Sequence, residues 1–360
     1  AYDPADSNVI YIGSGTLNRS TDGGKTWEQL FPQKADVLAG SYSGDHAAYR
    51  IHTRPASLYE PGEGRIGSIR VDPVRASALY FGMGRFLFYS VNGGKTWEKK
   101  DVGKQIDYLY TNASGAKNEL VIFTAESIFI FDKNTHKITP KAFPKAMSPA
   151  FSFTAGSESK GGKEIFYALH HDASQEIREE FGHSELWISE DRGSTWKRSD
   201  HAFITNVKAG IRPSYSMISC AEFDGRKVYL VTNRYEEKKG SGLVYWYGAL
   251  KSADAGKNWD WVWKGGGGSG RYGVKDGIDV ANLQDAWTAK AFGGEYIRLM
   301  DVGVSPLDGN TAIVTDWYRT MKTTDGGRSW REIYSEPQAD GSFKSRGLDV
   351  TTSYGVHFDP

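Results

Sequence analysis

The stretch Ser20-Thr21-Asp22-Gly23-Gly24-Lys25-Thr26-Trp27 decides how this chain folds, because the chain repeats it. Close copies stand at Ser90-Val91-Asn92-Gly93-Gly94-Lys95-Thr96-Trp97 and at Ser189-Glu190-Asp191-Arg192-Gly193-Ser194-Thr195-Trp196. Looser ones follow at Ser252-Ala253-Asp254-Ala255-Gly256-Lys257-Asn258-Trp259 and Thr323-Thr324-Asp325-Gly326-Gly327-Arg328-Ser329-Trp330. Each residue type has a job in a tight turn. Asp or Asn accepts backbone N–H groups, Gly supplies positive φ, and the Ser or Thr hydroxyl bonds nearby backbone. The Trp opens the next strand and tucks its ring under the turn. The box is therefore a strand–turn–strand clip. An aspartate committed to its own turn does not also serve a substrate, so these acids read as structural.

Working outward, the box tryptophans are 70, 99, 63 and 71 residues apart. The long gap has room for a unit without a box, and Asn118–Asp132 supplies it as two strands followed by Lys133-Asn134-Thr135. Repeats of this length point to a propeller. Each unit reads as four strands, a to d. Strand a ends in a short turn such as Asp3-Pro4, Asp72-Pro73 or Ser305-Pro306, and strand b is apolar, as in Val9–Ile12, Ala78–Phe81, Val121–Phe123, Ile165–Leu169, Val228–Val231 and Ala312–Val314. Strand c enters the box and strand d starts at the Trp. Six units result, near 1–30, 66–100, 104–142, 147–198, 215–263 and 296–334. The expected fold is all-β, a single β-propeller domain over residues 1–360, in which Ser353–Pro360 either closes the ring by pairing with the first unit or, as the favoured reading, is the inner strand of a seventh blade that a continuation or second chain completes.

Lys+Arg and Asp+Glu balance at 44 each, which argues against nucleic acid or an anionic membrane as partner. With 13% aromatic residues, 11 Trp and 20 Tyr, the chain is rich in platforms on which sugar rings stack. Cys220 is the lone cysteine and reads as a buried strand residue; one thiol excludes an intrachain disulfide. No apolar run reaches transmembrane length. Ala1 reads as a processed or cut end, and the expected location is secreted or periplasmic.

The long insertions, 31–65, 199–214, 264–295 and 335–352 between d and a, with 170–185 and 233–242 between b and c, all fall opposite the boxes. Function is expected at that elaborated end. There Thr315-Asp316-Trp317-Tyr318-Arg319 joins a carboxylate, two aromatics and a guanidinium, equipment for gripping and cleaving a sugar; the alternative is an Asp316–Arg319 structural bridge. The fourth unit places His170-His171-Asp172 at the corresponding point, with Glu179, Glu180 and His183 beyond. The spacing matches no zinc motif, so Asp172 or one of the glutamates is read as a second carboxylate rather than a metal ligand. The glutamates also fit a solvated charged loop. In the fifth unit, Arg234 suits a sugar carboxylate or hydroxyls and Tyr235 a sugar face. His46, Arg50, His52, Arg54, Tyr59 and Glu60 form either a substrate rim or an ordered surface loop. Gly265–Gly270 reads as a flexible stem for a lid over 271–295 bearing Asp276, Asp279, Asp285 and Trp287.

The boxes resemble the Asp-box superfamily, which includes sialidases, glycoside hydrolase family 74 xyloglucanases, sortilin-type receptors and photosystem assembly factors. The resemblance covers five of six units and implies a propeller far more firmly than an activity. Thr315-Asp316-Trp317-Tyr318 is similar to a family 74 step in which an Asp follows strand b; those enzymes invert configuration with two aspartates and have two propellers. The first unit departs from the pattern, with Ile12-Gly13-Ser14-Gly15 and no acid. Arg50, Arg54, Arg234 and Arg319 are present, but a sialidase's early Arg-Ile-Pro step is absent. The expectation is an inverting glycoside hydrolase acting on a poly- or oligosaccharide through Asp316 and Asp172, without a cofactor. Trp317, Tyr318 and Tyr235 would stack on sugars, and Arg234 and Arg319 would bond hydroxyls. The alternatives are a non-enzymatic glycan- or protein-binding propeller, a sialidase, or a lyase with His170 or Tyr235 as base.

Overall fold

The computed structural model describes residues 1–43, 48–55, 57–59, 64–112, 117–159, 162–172, 183–199, 212–268, 278–280, 299–316, 320–333, 335–345 and 356. The fold is all-β, a β-propeller of six antiparallel blades; helix among the described residues is limited to the 3-10 turns Lys34–Asp36 and Lys145–Met147. The chain forms two compact units, Ala1–Lys145 and Ala146–Phe358, each with three blades.

In the first unit, strands a to d are Tyr2–Asp3, Asp6–Gly13, Leu17–Ser20 and Glu28–Phe31 in blade 1. Blade 2 has Ile66–Val71, Leu79–Met83, Phe86–Ser90 and Glu98–Asp101; blade 3 has Tyr108–Thr111, Glu119–Phe123, Ser127–Asp132 and Ile138–Ala142. In the second, blade 4 has Ala150–Ser157, Glu164–Asp172, His183–Ser189 and Lys197–Arg198. Blade 5 has Arg212–Ala221, Asp224–Lys239, Gly242–Ser252 and Asp260–Gly268 with a fifth strand, Ile278–Val280, and blade 6 has Asp301–Val304, Ala312–Thr315, Thr320–Thr323 and Arg331–Glu332. Apolar strand-b segments pack between neighbouring sheets. Phe81 and Phe88 stack on each other and meet Phe31 at a tilt, with Trp97 edge-on to Phe81, where blade 1 meets blade 2, and Tyr247 and Trp263 meet Val302, Val314 and Trp330 where blade 5 meets blade 6. Cys220 lies buried in strand 5a, as its neighbours indicate.

The boxes close by local hydrogen bonds. Asp22 accepts the Ser20 hydroxyl at 2.8 Å, the Thr26 N–H at 2.8 Å and the Thr26 hydroxyl at 2.6 Å, while Ser20 Oγ accepts the Gly24 N–H. Asp191, Asp254 and Asp325 repeat this pattern. Asn92 reverses one bond: its amide donates to Thr96 Oγ1. The Thr26 hydroxyl and N–H hold the Asp22 carboxyl down at about 2, and at Asp325 the Ser329 bonds outweigh burial to the same effect. Blade 3 lacks a box. Asp132 caps a turn with the N–H groups of Asn134 and Thr135, and Lys133 reaches a buried ion pair with Asp72 at 2.8 Å.

Two expectations are corrected. Residues 233–242 are no loop: strands 5b and 5c run on as a ribbon to Lys239 and from Gly242, because Tyr235, Glu236 and Glu237 continue the ladder opposite Trp246, Tyr245 and Val244. Gly265–Gly268 is no flexible stem either; it completes strand 5d opposite Tyr245–Tyr247. A Cβ at Gly265 would fall 2.6 Å from the Tyr247 ring, so the absent side chain makes room for an aromatic one. The 31–65 and 335–352 insertions each contain a two-stranded hairpin, Val37–Ser43 with Ala48–Thr53 and Ser335–Pro337 with Phe343–Ser345. Of 353–360 only Val356 is described; it lies against Gly303 of strand 6a. His46, Glu60 and the 173–182 run, with Glu179 and Glu180, lie outside the described residues.

Candidate functional site

Strand 6b delivers Asp316 one residue past its last ladder position, 3% exposed. Opposite Thr315 on strand 6a stands a second buried carboxyl, Asp301, and the Met300 N–H closes the ladder onto the Thr315 carbonyl at 2.7 Å. Asp301 accepts the Val302 and Val356 N–H groups at 2.7 and 2.9 Å, yet burial outweighs these bonds and raises its pKa. Trp317, Tyr318 and Arg319 lie outside the described residues. Asp301 escaped the sequence reading because its burial depends on strand 6b and Val356, which are distant along the chain.

The blade 5 ribbon has two faces, set by strand alternation. One continues the Tyr247–Trp263 core toward blade 6 and carries Tyr245, Arg234 and Glu236. Arg234 is paired with Glu236 at 3.0 Å, both nearly buried, and its guanidinium lies 4.2 Å from the centre of the Tyr245 ring. The other face turns toward blade 4. There Lys264 sits 3.9 Å over Trp246, whose indole N–H is held by Glu237 at 2.9 Å. Tyr235 belongs to this second face, 3% exposed and edge-on to Trp261 at 5.2 Å. Its ring is core rather than a surface platform, and burial pushes its hydroxyl pKa upward, which opposes a role as base. Half-buried Tyr245 and Trp246 are aromatics that the sequence reading missed. Their position opposite Glu236 and Tyr235 in a hairpin was the available signal.

In blade 4, His170 is 8% exposed and its Nδ1 lies 2.8 Å from the Pro149 carbonyl, a contact that places the proton on Nδ1. Its cross-strand partner is Glu185, also buried, which holds Arg198 at 2.7 Å and the Trp187 indole N–H at 3.1 Å. His171 stacks flat on Phe151 at 4.0 Å, and burial, then His170, lower its pKa. Asp172 closes strand 4b opposite His183; its side chain lies outside the described residues. In the first unit, Tyr59 is buried against Phe31, which removes it from any substrate rim. Among the described residues no group of three or more His, Cys, Asp or Glu could hold a metal ion, and no helix is long and apolar enough to cross a membrane.

The BNR/Asp-box repeat model matches residues 19–29 and 88–99. No curated protein matches the chain. Among solved structures, a GH74 xyloglucanase from Xanthomonas campestris is similar at TM-score 0.56 and 16% identity, over 92% of this chain and 46% of that one. An ancestral GH74 enzyme follows at 0.49 and 15%, over 96% and 48%, and YCF48 from Cyanidioschyzon merolae at 0.48 and 13%, over 92% and 83%. This chain spans about half the length of those two GH74 structures. At such identities the likeness shows the fold alone.

Proposed function

From a chain built on BNR/Asp-box repeats in six four-stranded blades, we propose a carbohydrate-active propeller, a glycoside hydrolase whose site lies at the box-free end of the second unit. The observation that carries this reading is Asp316, a buried carboxylate at the end of strand 6b, with the aromatic face of Tyr245 on the side of the ribbon turned toward that blade. Buried carboxyls are the groups whose pKa values separate into acid and base roles. Asp316 protonates the glycosidic oxygen, and Asp172 is the second carboxylate that activates water. Asp301, tied by two backbone N–H groups, braces the strand end rather than reacting.

The ligand in this reading is a neutral glycan. Arg234 gives its charge to Glu236, so the pair offers matched donors and acceptors to sugar hydroxyls and no net charge to a uronate or sialate. Those observations weigh against the lyase and sialidase alternatives. The test is reducing-sugar release from a panel of plant and algal polysaccharides. Asp316→Asn is expected to lower kcat by about 10²–10⁴ while leaving binding intact. A wild-type protein that binds glycans on an array but cleaves none would favour the non-enzymatic reading, in which the ribbon aromatics bind without chemistry.

A further inference from the structure

Strand 4a carries a bulge with a local effect. Ala150 pairs with His170 and Ser152 with Leu169, so Phe151 is the extra residue between them. A bulge re-aims the side chain it displaces. This one lays the Phe151 ring flat beneath His171 of strand 4b, with ring centroids 4.0 Å apart and planes 7° from parallel. That is closer and flatter than ring pairs prefer. Phe151 packs in turn on the core cluster that holds Leu186 and Tyr215, which supports it from below. Ser184, the cross-strand partner of His171, holds the imidazole by its edge: its Oγ lies 3.2 Å from Nδ1 and accepts the Tyr215 N–H at 3.1 Å. Both the plane and the rotation of an exposed side chain are therefore set.

Another stacked histidine shows what a structural arrangement looks like. His136 lies over Phe131 at 5.7 Å, and Tyr89 closes it from the side, edge-on at 4.7 Å with its hydroxyl 3.0 Å from Nδ1. His136 is half-buried, and both of its aromatic neighbours are core. His171 differs. Phe151 covers one face of an exposed ring, so the opposite face is the one turned to solvent. Its Nε2 has no hydrogen-bond partner among the described residues. Burial, then His170, lower its pKa, which keeps the imidazole uncharged at neutral pH.

We propose that His171, seated on Phe151, is a sugar-binding platform at the box-free end of blade 4: its outer face carries one pyranose ring of a neutral glycan, and Nε2 bonds a hydroxyl of that ring. The chemistry is matched. A pyranose has a flat C–H face that packs on an aromatic plane, and hydroxyls around its rim. The Ser184 proton goes either to Nδ1 or to the Tyr215 carbonyl, so Nε2 donates in one case and accepts in the other. A hydroxyl serves both. An uncharged ring gives a carboxylate or phosphate no charge to pair with. The subsite rests on the carbohydrate-active reading and extends it to the residue before Asp172.

An array of cellohexaose, mannohexaose, xylohexaose and laminarihexaose, probed with the whole 360-residue chain, tests this. His171→Ala is expected to weaken binding of whichever hexaose the wild type holds by about tenfold, and His171→Phe, which keeps a flat face and loses Nε2, by about threefold. In 15N-histidine-labelled protein that hexaose is expected to shift the His171 ring nitrogens and to leave those of His136 in place. Binding that His171→Ala leaves unchanged, or His171 signals that the hexaose does not move, overturns the subsite and leaves the carbohydrate-active reading standing. A wild type that holds none of these hexaoses overturns both. Should His171→Ala fail to fold, the wild-type nitrogen shifts decide alone.

Discussion

Blades 2 and 3 hold their predecessors by different chemistry. Blade 2 uses a box: Trp97 is buried against Phe31 and Phe81 and donates its indole N–H to the Leu30 carbonyl at 3.1 Å. Blade 3 uses charge: Lys133 leaves an Asp132-capped turn and meets Asp72 of blade 2, with both side chains more than nine-tenths buried and the Thr111 hydroxyl as a further acceptor. The box satisfies its Ser, Asn and Thr groups within eight residues and sends only its Trp to the neighbouring blade. The ionic version also caps its turns locally, at Asp132 and Asp72, but its buried charges depend on partners 61 positions apart. A clip that closes on itself is robust. A buried pair is only as good as its second member, because desolvation of each ion is offset only by the other.

Removing one ion breaks the comparison most sharply. Lys133→Ala leaves the Asp72 carboxylate buried and unpaired and is expected to cost about 3–5 kcal/mol in urea unfolding. The double change Lys133→Met with Asp72→Leu is expected to recover most of that loss, since neither charge remains to desolvate. Trp97→Phe keeps most of the packing and removes one of two side-chain donors to the Leu30 carbonyl, the Gln33 amide remaining at 3.1 Å, for an expected loss of about 0.5–1.5 kcal/mol by the same measurement.

The pH dependence separates the two devices further. Burial works against the Asp72 carboxylate, but Lys133 and the Val74 and Arg75 N–H groups bring its pKa below the usual value. A folded pKa depressed in this way means stability that is present above the ordinary aspartate range, near 4, and is lost as pH falls through the lower folded value. Urea midpoints measured down that range should therefore drop in the wild type, and the Lys133→Met, Asp72→Leu variant should lose less. The Asp22 and Asp325 carboxyls are held down by their own turns, with midpoints expected at about 2 in 13C NMR titration. The smallest effect is expected for Asn92→Asp. It restores the carboxylate that four of the five boxes carry, so Thr96 donates instead of accepting, and stability should move by no more than about 0.5 kcal/mol.

Legibility followed the same divide. Box, strand order and blade count could be read from the residues because each clip closes within eight positions, and Asp22, Gly24 and Trp27 do locally what their types imply. The candidate site was legible only at its most local points. Asp316 stands at the end of strand b as its Thr315-Asp316 step suggested, whereas Tyr235 is core and Tyr245 takes the half-exposed place beside Arg234. Which of two adjacent tyrosine positions faces out depends on ribbon register, and the register depends on partners across the hairpin. The glycine run misled for a related reason. Gly265 and Gly266 carry no side chain to announce that they lie beneath an aromatic strand.

By itself, then, the sequence determined the repeating clip, the all-β class and the strand order within each blade, because these rest on contacts only a few residues long. Tertiary structure alone decided the Lys133–Asp72 pair, the raised Asp301 carboxyl and the Arg234–Glu236–Tyr245 wall. Each of those is a matter of burial, and burial is conferred by neighbours remote in the chain.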